Sequence, residues 1–143
     1  MVDISSKKAT ERTAIASGCI KLGSNASAAI DDGAAPKGDV FAAARIGAIT
    51  AVKRTWDLIP LCHPLRIGGV EIEFNKEGNT VDVTCTVKGV ESTGFEMEAL
   101  TGVTTALLII YDMTKALDRG MEIGEVRLIL KSGGKSGEYK WQR

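Results

Sequence analysis

Residues 70–87, with the sequence VEIEFNKEGNTVDVTCTV, decide the fold class of this 143-residue chain. Apolar and polar residues alternate over 70–74 and again over 81–87, which is the period of a β-strand with one buried face. The turn residues Lys76, Glu77, Gly78 and Asn79 lie between the two runs. The stretch therefore predicts a β-hairpin within an antiparallel sheet.

Helical spacing appears on both sides of this hairpin. Asp39 can cap a helix, and the apolar residues after it follow helical spacing as far as Trp56. Prolines then predict a rigid loop over residues 58–65. Residues 95–117 fit a longer helix, and apolar residues surround most of its middle, so we expect it to be buried.

Three further strands are predicted, at residues 2–7, 12–22 and 126–130. Small and polar residues over 23–33 favour a loop with a turn, and the glycines of 132–137 favour a flexible loop. The order of these elements predicts an α+β fold in which helices pack on one face of an antiparallel sheet.

Composition limits the class of protein. The length predicts a single domain spanning residues 1–143, and 44% hydrophobic with 25% charged residues excludes a disordered chain. Eighteen basic residues balance eighteen acidic ones, which argues against a nucleic-acid partner or an anionic membrane surface. The start lacks signal-peptide features, and the longest apolar run, 106–111, is too short to cross a bilayer, so we expect a soluble protein.

Cysteine and histidine content limits the possible sites. Cys19, Cys62 and Cys85 are odd in number and widely spaced, which argues against a disulfide framework and favours the cytoplasm. His63 is the sole histidine, so a histidine-rich metal site cannot be assembled, and we predict no metal.

A polar stripe crosses the long helix. Asp112 and Lys115 are three residues apart and share a face, and fourteen steps of roughly 100° bring Glu98 within about 40° of Asp112. Unpaired charges in a buried helix are costly, which favours a functional role. An equally good reading is a structural ion pair near the helix end, with the glutamates favoured by the helix dipole in the first turn.

The remaining candidates have ordinary readings as well. His63 lies between two prolines, which could fix an acid or base in place, although a lone histidine is more often without a catalytic role. The default role of Cys62 is that of a small buried hydrophobe. Lys37 precedes a helix start and Lys131 adjoins a glycine-rich run, so both could bind phosphate, although most such lysines are simply solvated. GGKS at 133–136 lacks the first glycine of a P-loop, and 107–112 mimics a Walker B strand inside a helical pattern.

Several long strings in this order resemble the MoaC family, the cyclic pyranopterin monophosphate synthases of molybdenum-cofactor biosynthesis. They are MVDI at 1–4, KGDVF at 37–41, KRTWDLIPLCHPL at 53–65, FEMEALT at 95–101, IYDMTK at 110–115 and KSGGKSG at 131–137. The resemblance covers nearly the whole chain. The chain departs from it at the start, which has no extension before Met1, and in the divergent segment 23–36.

The resemblance implies a ferredoxin-like fold, a hexamer built as a trimer of dimers, and a site at a subunit interface. It implies a lyase that converts (8S)-3′,8-cyclo-7,8-dihydroguanosine 5′-triphosphate to cyclic pyranopterin monophosphate and pyrophosphate, with no cofactor. The residues implied to be catalytic are Asp112, Lys115, His63 and Lys37. The residues implied to bind substrate are Leu61, Cys62, His63, Glu96, Met97, Glu98 and Lys131.

The residue types suit this chemistry. Lys37, Lys115 and Lys131 would neutralise the triphosphate and the departing pyrophosphate. Asp112, a glutamate and His63 would move protons on the ring atoms, and we hypothesise that Lys115 also takes part in proton transfer. The alternative is a non-catalytic nucleotide-binding or assembly module in which the polar stripe specifies subunit pairing.

Overall fold

An antiparallel sheet with helices on one face forms the frame of the molecule. The computed structural model describes residues 1–135 and 137–142. In chain order the elements are β1 (Thr10–Lys21), α1 (Ser24–Asp31), α2 (Val40–Lys53), α3 (Thr55–Leu58), β2 (Gly69–Glu77), β3 (Thr80–Glu91), α4 (Glu96–Thr114), β4 (Glu122–Ser132) and β5 (Tyr139–Lys140). The strand order in the sheet is β2-β3-β1-β4-β5.

The predicted hairpin is β2 and β3, which pair from Gly69 opposite Lys88 to Glu77 opposite Thr80. Gly78 makes the turn with a φ of 56°, a conformation that glycine adopts without strain. Strand β1 lies between β3 and β4 and is antiparallel to both. The predicted α+β class is confirmed, and β1-α2-β2-β3-α4-β4 is the order of elements in the ferredoxin-like motif.

Helices α2 and α4 pack on the sheet and on each other. Alternate residues of the central strands, among them Ala14, Ala16, Val83 and Cys85, are fully buried beneath them. A Cβ on Gly102 of α4 would lie 2.7 Å from the Cys85 sulfur and 2.8 Å from a Val52 methyl carbon, so glycine permits this close packing. Gly47 of α2 faces Ile109 of α4 and Val52 faces Gly102, so the two helices run in opposite directions.

Two predictions near the start of the chain are wrong. Residues 2–7 form turns rather than a strand, because the Asp3 carboxylate accepts hydrogen bonds from the Ser5 N–H and hydroxyl. The predicted loop at 23–33 contains α1, in which alanines favour the helix and the Ser27 hydroxyl donates to the Gly78 carbonyl. In the first case regular structure was predicted where there is none, and in the second case a helix was not predicted where there is one.

Element ends also differ from the predictions. The helix expected to reach Trp56 ends at Lys53 and is followed by the single turn of α3, and α4 ends at Thr114 rather than at residue 117. Strand β4 is longer than residues 126–130 and includes Ser132, which was expected in the loop. Of that predicted loop, Ser136 lies outside the described residues. No helix among the described residues is long and apolar enough to span a bilayer.

Candidate active site

A cavity of about 490 Å³ lies beside the N-terminal end of α4. Three segments form its walls: the chain start, the loop after α3, and the first turn of α4 with the residues before it. Its lining residues are Met1, Val2, Ile4, Lys7, Leu61, Cys62, His63, Leu65, Thr93, Gly94, Glu96, Met97 and Glu98. Six of the predicted site residues therefore share one cavity: Leu61, Cys62, His63, Glu96, Met97 and Glu98.

The loop after α3 begins with a hydrogen-bonded turn. The Cys62 N–H donates to the Ile59 carbonyl at 3.0 Å, and the chain then runs without helix or strand to β2. Leu61 is 70% exposed, whereas Cys62 and His63 are partly buried against the cavity. Burial raises the pKa of the Cys62 thiol, and the nearby charge of Glu98 adds to this effect. The thiol is therefore protonated at neutral pH and is a poor nucleophile.

Glu98 is the buried carboxyl group of the cavity, with only 4% of its surface exposed. Burial raises its pKa from 4.5 to about 7, against the effect of a hydrogen bond from its own backbone N–H, and the charge of Glu96 raises it further. Glu98 can therefore both donate and accept a proton near neutral pH. The sequence placed Glu98 on the polar stripe but gave no indication of this proton affinity.

Glu96 joins the cavity to the sheet. Its Oε1 atom lies 3.2 Å from the Lys131 Nζ atom on β4, and both side chains are about three-quarters buried. The sequence predicted both residues at the site, and the ion pair places Lys131 beside the cavity wall. Glu96 also lies close enough to Glu98 to favour the protonated form of Glu98.

A second cluster lies at the other end of α4. The two Asp112 carboxylate oxygens face one lysine each: Oδ1 is 2.7 Å from Lys115 Nζ, and Oδ2 is 2.6 Å from Lys37 Nζ. All three side chains are about half exposed. Hydrogen bonds from Lys115 and Lys37 lower the pKa of Asp112 from 3.8 to about 2. We call these three residues the Asp112 cluster; it carries a net charge of one positive unit at neutral pH.

Within one chain the two groups of predicted residues do not meet. Glu98 and Asp112 are fourteen residues apart on one continuous helix, which separates them by about 21 Å along the helix axis. Helix α2 spans the same interval, with Lys37 just before its start and the loop bearing His63 beyond its end. The cavity and the Asp112 cluster therefore occupy opposite ends of the α2–α4 pair.

Sequence reasoning missed one wall of the cavity. Met1, Val2, Ile4 and Lys7 line it, together with Leu65, Thr93 and Gly94. The short, mixed segment of residues 2–7 was predicted to be a strand, so its side chains were not considered for the site. MVDI within the quoted strings was the one signal that pointed to this segment.

Comparisons with known proteins agree with the resemblance seen in the sequence. Cyclic pyranopterin monophosphate synthase of Clostridium perfringens strain 13 is 50% identical over 143 residues, covering 99% of this chain and 90% of the relative. The enzymes of the same name from Clostridium botulinum strain Alaska E43 and Novosphingobium aromaticivorans are 52% and 51% identical, over 97% and 98% of this chain and 89% of each relative. The model of the MoaC family matches residues 1–134, and the chain belongs to this family.

Proposed function

We propose that this chain is a cyclic pyranopterin monophosphate synthase, a lyase of molybdenum-cofactor biosynthesis that acts in the cytoplasm. The substrate is 3′,8-cyclo-7,8-dihydroguanosine 5′-triphosphate, and the products are cyclic pyranopterin monophosphate and pyrophosphate. The observation that carries the proposal is the cavity that gathers Leu61, His63 and residues 96–98 in a chain matching the MoaC family over residues 1–134. Relatives at about half identity carry the same enzyme name.

The reaction needs positive charge where pyrophosphate leaves. A triphosphate that becomes a cyclic monophosphate must lose pyrophosphate as an oxygen of the substrate attacks the innermost phosphorus. Lys37 and Lys115 share one carboxylate, so the Asp112 cluster keeps one positive charge for this leaving group. As the phosphates draw the lysines away, the pKa of Asp112 rises and its carboxylate becomes a better base.

The reaction also needs an acid and a base with different proton affinities. Glu98, whose pKa lies at about 7, holds a proton in much of the population at neutral pH and acts as the general acid. Asp112, whose pKa lies at about 2, is ionised and acts as the base. His63 lines the same cavity as Glu98 and binds or protonates the substrate there.

A second copy of the chain would bring these groups together. A two-fold axis through α4 near Thr105, midway between Glu98 and Asp112, would pair two α4 helices in opposite directions. The Asp112 cluster of one copy would then lie beside the cavity of the other. Exposed residues on this part of α4, including Leu108 at 55% exposure, would be covered by such pairing. The hexamer, a trimer of such dimers, is part of the proposal.

Mixing two inactive variants tests the shared site. Glu98→Gln removes the cavity acid and Asp112→Asn removes the base, so each variant alone has little activity. After random exchange of subunits, half of the dimers are mixed and one of the two sites in each mixed dimer is intact. We therefore expect about a quarter of wild-type activity. If mass spectrometry detects mixed dimers and activity stays at the level of the single variants, the shared site is wrong.

Direct turnover tests the function itself. The purified chain is incubated with 3′,8-cyclo-7,8-dihydroguanosine triphosphate, and pyrophosphate and the pterin product are measured by coupled assay and mass spectrometry. We expect equal amounts of the two products. An intact oligomer that binds the substrate without forming either product would instead support the nucleotide-binding module.

A further inference from the structure

The segment over residues 1–7 forms one wall of the cavity. Met1, Val2 and Ile4 supply apolar surface and Lys7 supplies an ammonium group, facing the loop that carries Leu61 and His63. None of these four residues was predicted at the site. Met1 and Val2 remain 73% exposed, so the wall gains little stability from its own burial.

Few hydrogen bonds join this segment to the rest of the described chain. The Asp3 carboxylate accepts hydrogen bonds from Ser5, and the Lys7 N–H donates to the Ile4 carbonyl, all within the segment. The Ser92 hydroxyl donates to the Lys7 carbonyl at 3.1 Å, fixing the end of the segment next to β1. The hydrogen bonds of this segment are therefore local, apart from its anchor at Lys7.

The segment of residues 1–7 also carries a charged group that can bind an anion. Among the described residues, no carboxylate lies within ion-pair distance of Lys7, whereas Lys131, behind the cavity wall, is paired with Glu96. Hydrogen bonds from Ser5 lower the pKa of Asp3 and occupy its carboxylate within the segment. The segment thus presents an uncommitted cation to the cavity, while its carboxylate is bonded to Ser5.

We infer that Lys7 is a substrate-binding residue that pairs with a phosphate group, and that this pairing holds residues 1–6, which are linked to Lys7 by its N–H bond to the Ile4 carbonyl, closed over the cavity. The apolar side chains of Met1, Val2 and Ile4 then exclude water from the substrate ring system. This inference rests on the proposed function, because the triphosphate is the anion that Lys7 meets.

Adjacent lysines provide a matched test. Lys7→Ala should raise KM about tenfold and change kcat less than threefold, because one charge-assisted contact to the substrate is lost. Lys8→Ala removes the same charge one residue away, outside the cavity lining, and should leave both constants unchanged. Lys7→Arg should restore KM to within about threefold of the wild-type value. Equal KM values for Lys7→Ala and Lys8→Ala in an active enzyme would overturn the inference and leave the proposed function standing.

Hydrogen exchange tests the closure without turnover. With sodium tripolyphosphate as the probe, the amides of residues 2–8 should gain at least fivefold protection in the wild type and in Lys8→Ala, but not in Lys7→Ala. Protection of this segment to the same degree in all three proteins would contradict a role for Lys7. An absence of protection in the wild type would contradict closure.

Discussion

The carboxyl groups at the two ends of α4 differ in their affinity for a proton. At the N-terminal end Glu98 is buried, lines the cavity and takes up a proton near pH 7. At the C-terminal end Asp112 is half exposed between two lysines and stays ionised down to about pH 2. One helix therefore offers a proton donor and a proton acceptor because the surroundings of its ends differ, with the same chemical group at both.

The largest effect is expected at the exposed end. Asp112→Asn keeps the shape of the side chain and removes its charge, so turnover should fall about 10³-fold while the oligomer and the melting temperature change little. Asp57→Asn is the matched control, because Asp57 forms an exposed ion pair with Arg54 at the same three-residue spacing. Equal activity of the two variants in the turnover assay would remove Asp112 from the mechanism.

The next largest effect separates charge from proton transfer within the Asp112 cluster. Lys115→Arg keeps a cation beside the carboxylate but holds its proton too tightly to transfer it, so turnover should fall about 10²-fold. The measurement is the pH dependence of kcat for both proteins. Full turnover in Lys115→Arg would limit Lys115 to binding phosphate.

The buried end should show a pH-dependent stability. The folded-state pKa of Glu98, about 7, exceeds its ordinary value of 4.5, so the folded protein binds more protons between these values. The free energy of unfolding therefore falls as pH rises from 4.5 to 7 and then levels off. Glu98→Gln should remove this fall, a relative gain of roughly 1–3 kcal/mol at pH 8 compared with pH 4.5.

Urea unfolding at fixed protein concentration measures that difference. Glu122→Gln, at an exposed position on β4, serves as the control and should keep the wild-type slope. If Glu98→Gln follows the same slope as Glu122→Gln, Glu98 is not the buried acid and the contrast between the helix ends is lost.

The smallest effect on turnover is expected from the N-terminal cap of α2, the helix that begins shortly after Lys37. The Asp39 carboxylate accepts a hydrogen bond from the Ala42 N–H at 3.0 Å and caps α2. Asp39→Ala should lower the free energy of unfolding by about 1 kcal/mol and leave kcat within about twofold. Thermal denaturation and the turnover assay check this pair of values. A large loss of turnover without a loss of stability would place Asp39 in the site.

The elements that sequence predicted well are those with local signals. Alternation in 70–87 specified the β2–β3 hairpin, and helical spacing after Asp39 specified α2, because each pattern needs only neighbouring residues. The turns within residues 2–7 and the helix α1 were not predicted, because a short polar segment can form a strand, a turn, a loop or a helix depending on its surroundings. Side-chain bonds such as the one from Ser27 to the Gly78 carbonyl depend on contacts between distant segments.

The sequence predicted which residues belong to the site, but it did not predict how they are arranged in space. Helix geometry placed Glu98 and Asp112 on nearly one face, and the same geometry implies their separation of about 21 Å. Their convergence on one substrate therefore needs a second copy, which remains a prediction. The wall formed by residues 1–7 could not be derived from periodicity, because its position depends on the anchor between Ser92 and Lys7.

The continuity of α4 has a consequence for how this sequence can change in length. Inserting one residue between Glu98 and Asp112 would rotate one end against the other by about 100° and lengthen the helix by about 1.5 Å. Such an insertion would misalign a proton donor in one copy with an acceptor in the next. Insertions and deletions should therefore be tolerated in surface connections such as residues 32–34, whereas a change in the number of residues in α4 should inactivate the assembled enzyme.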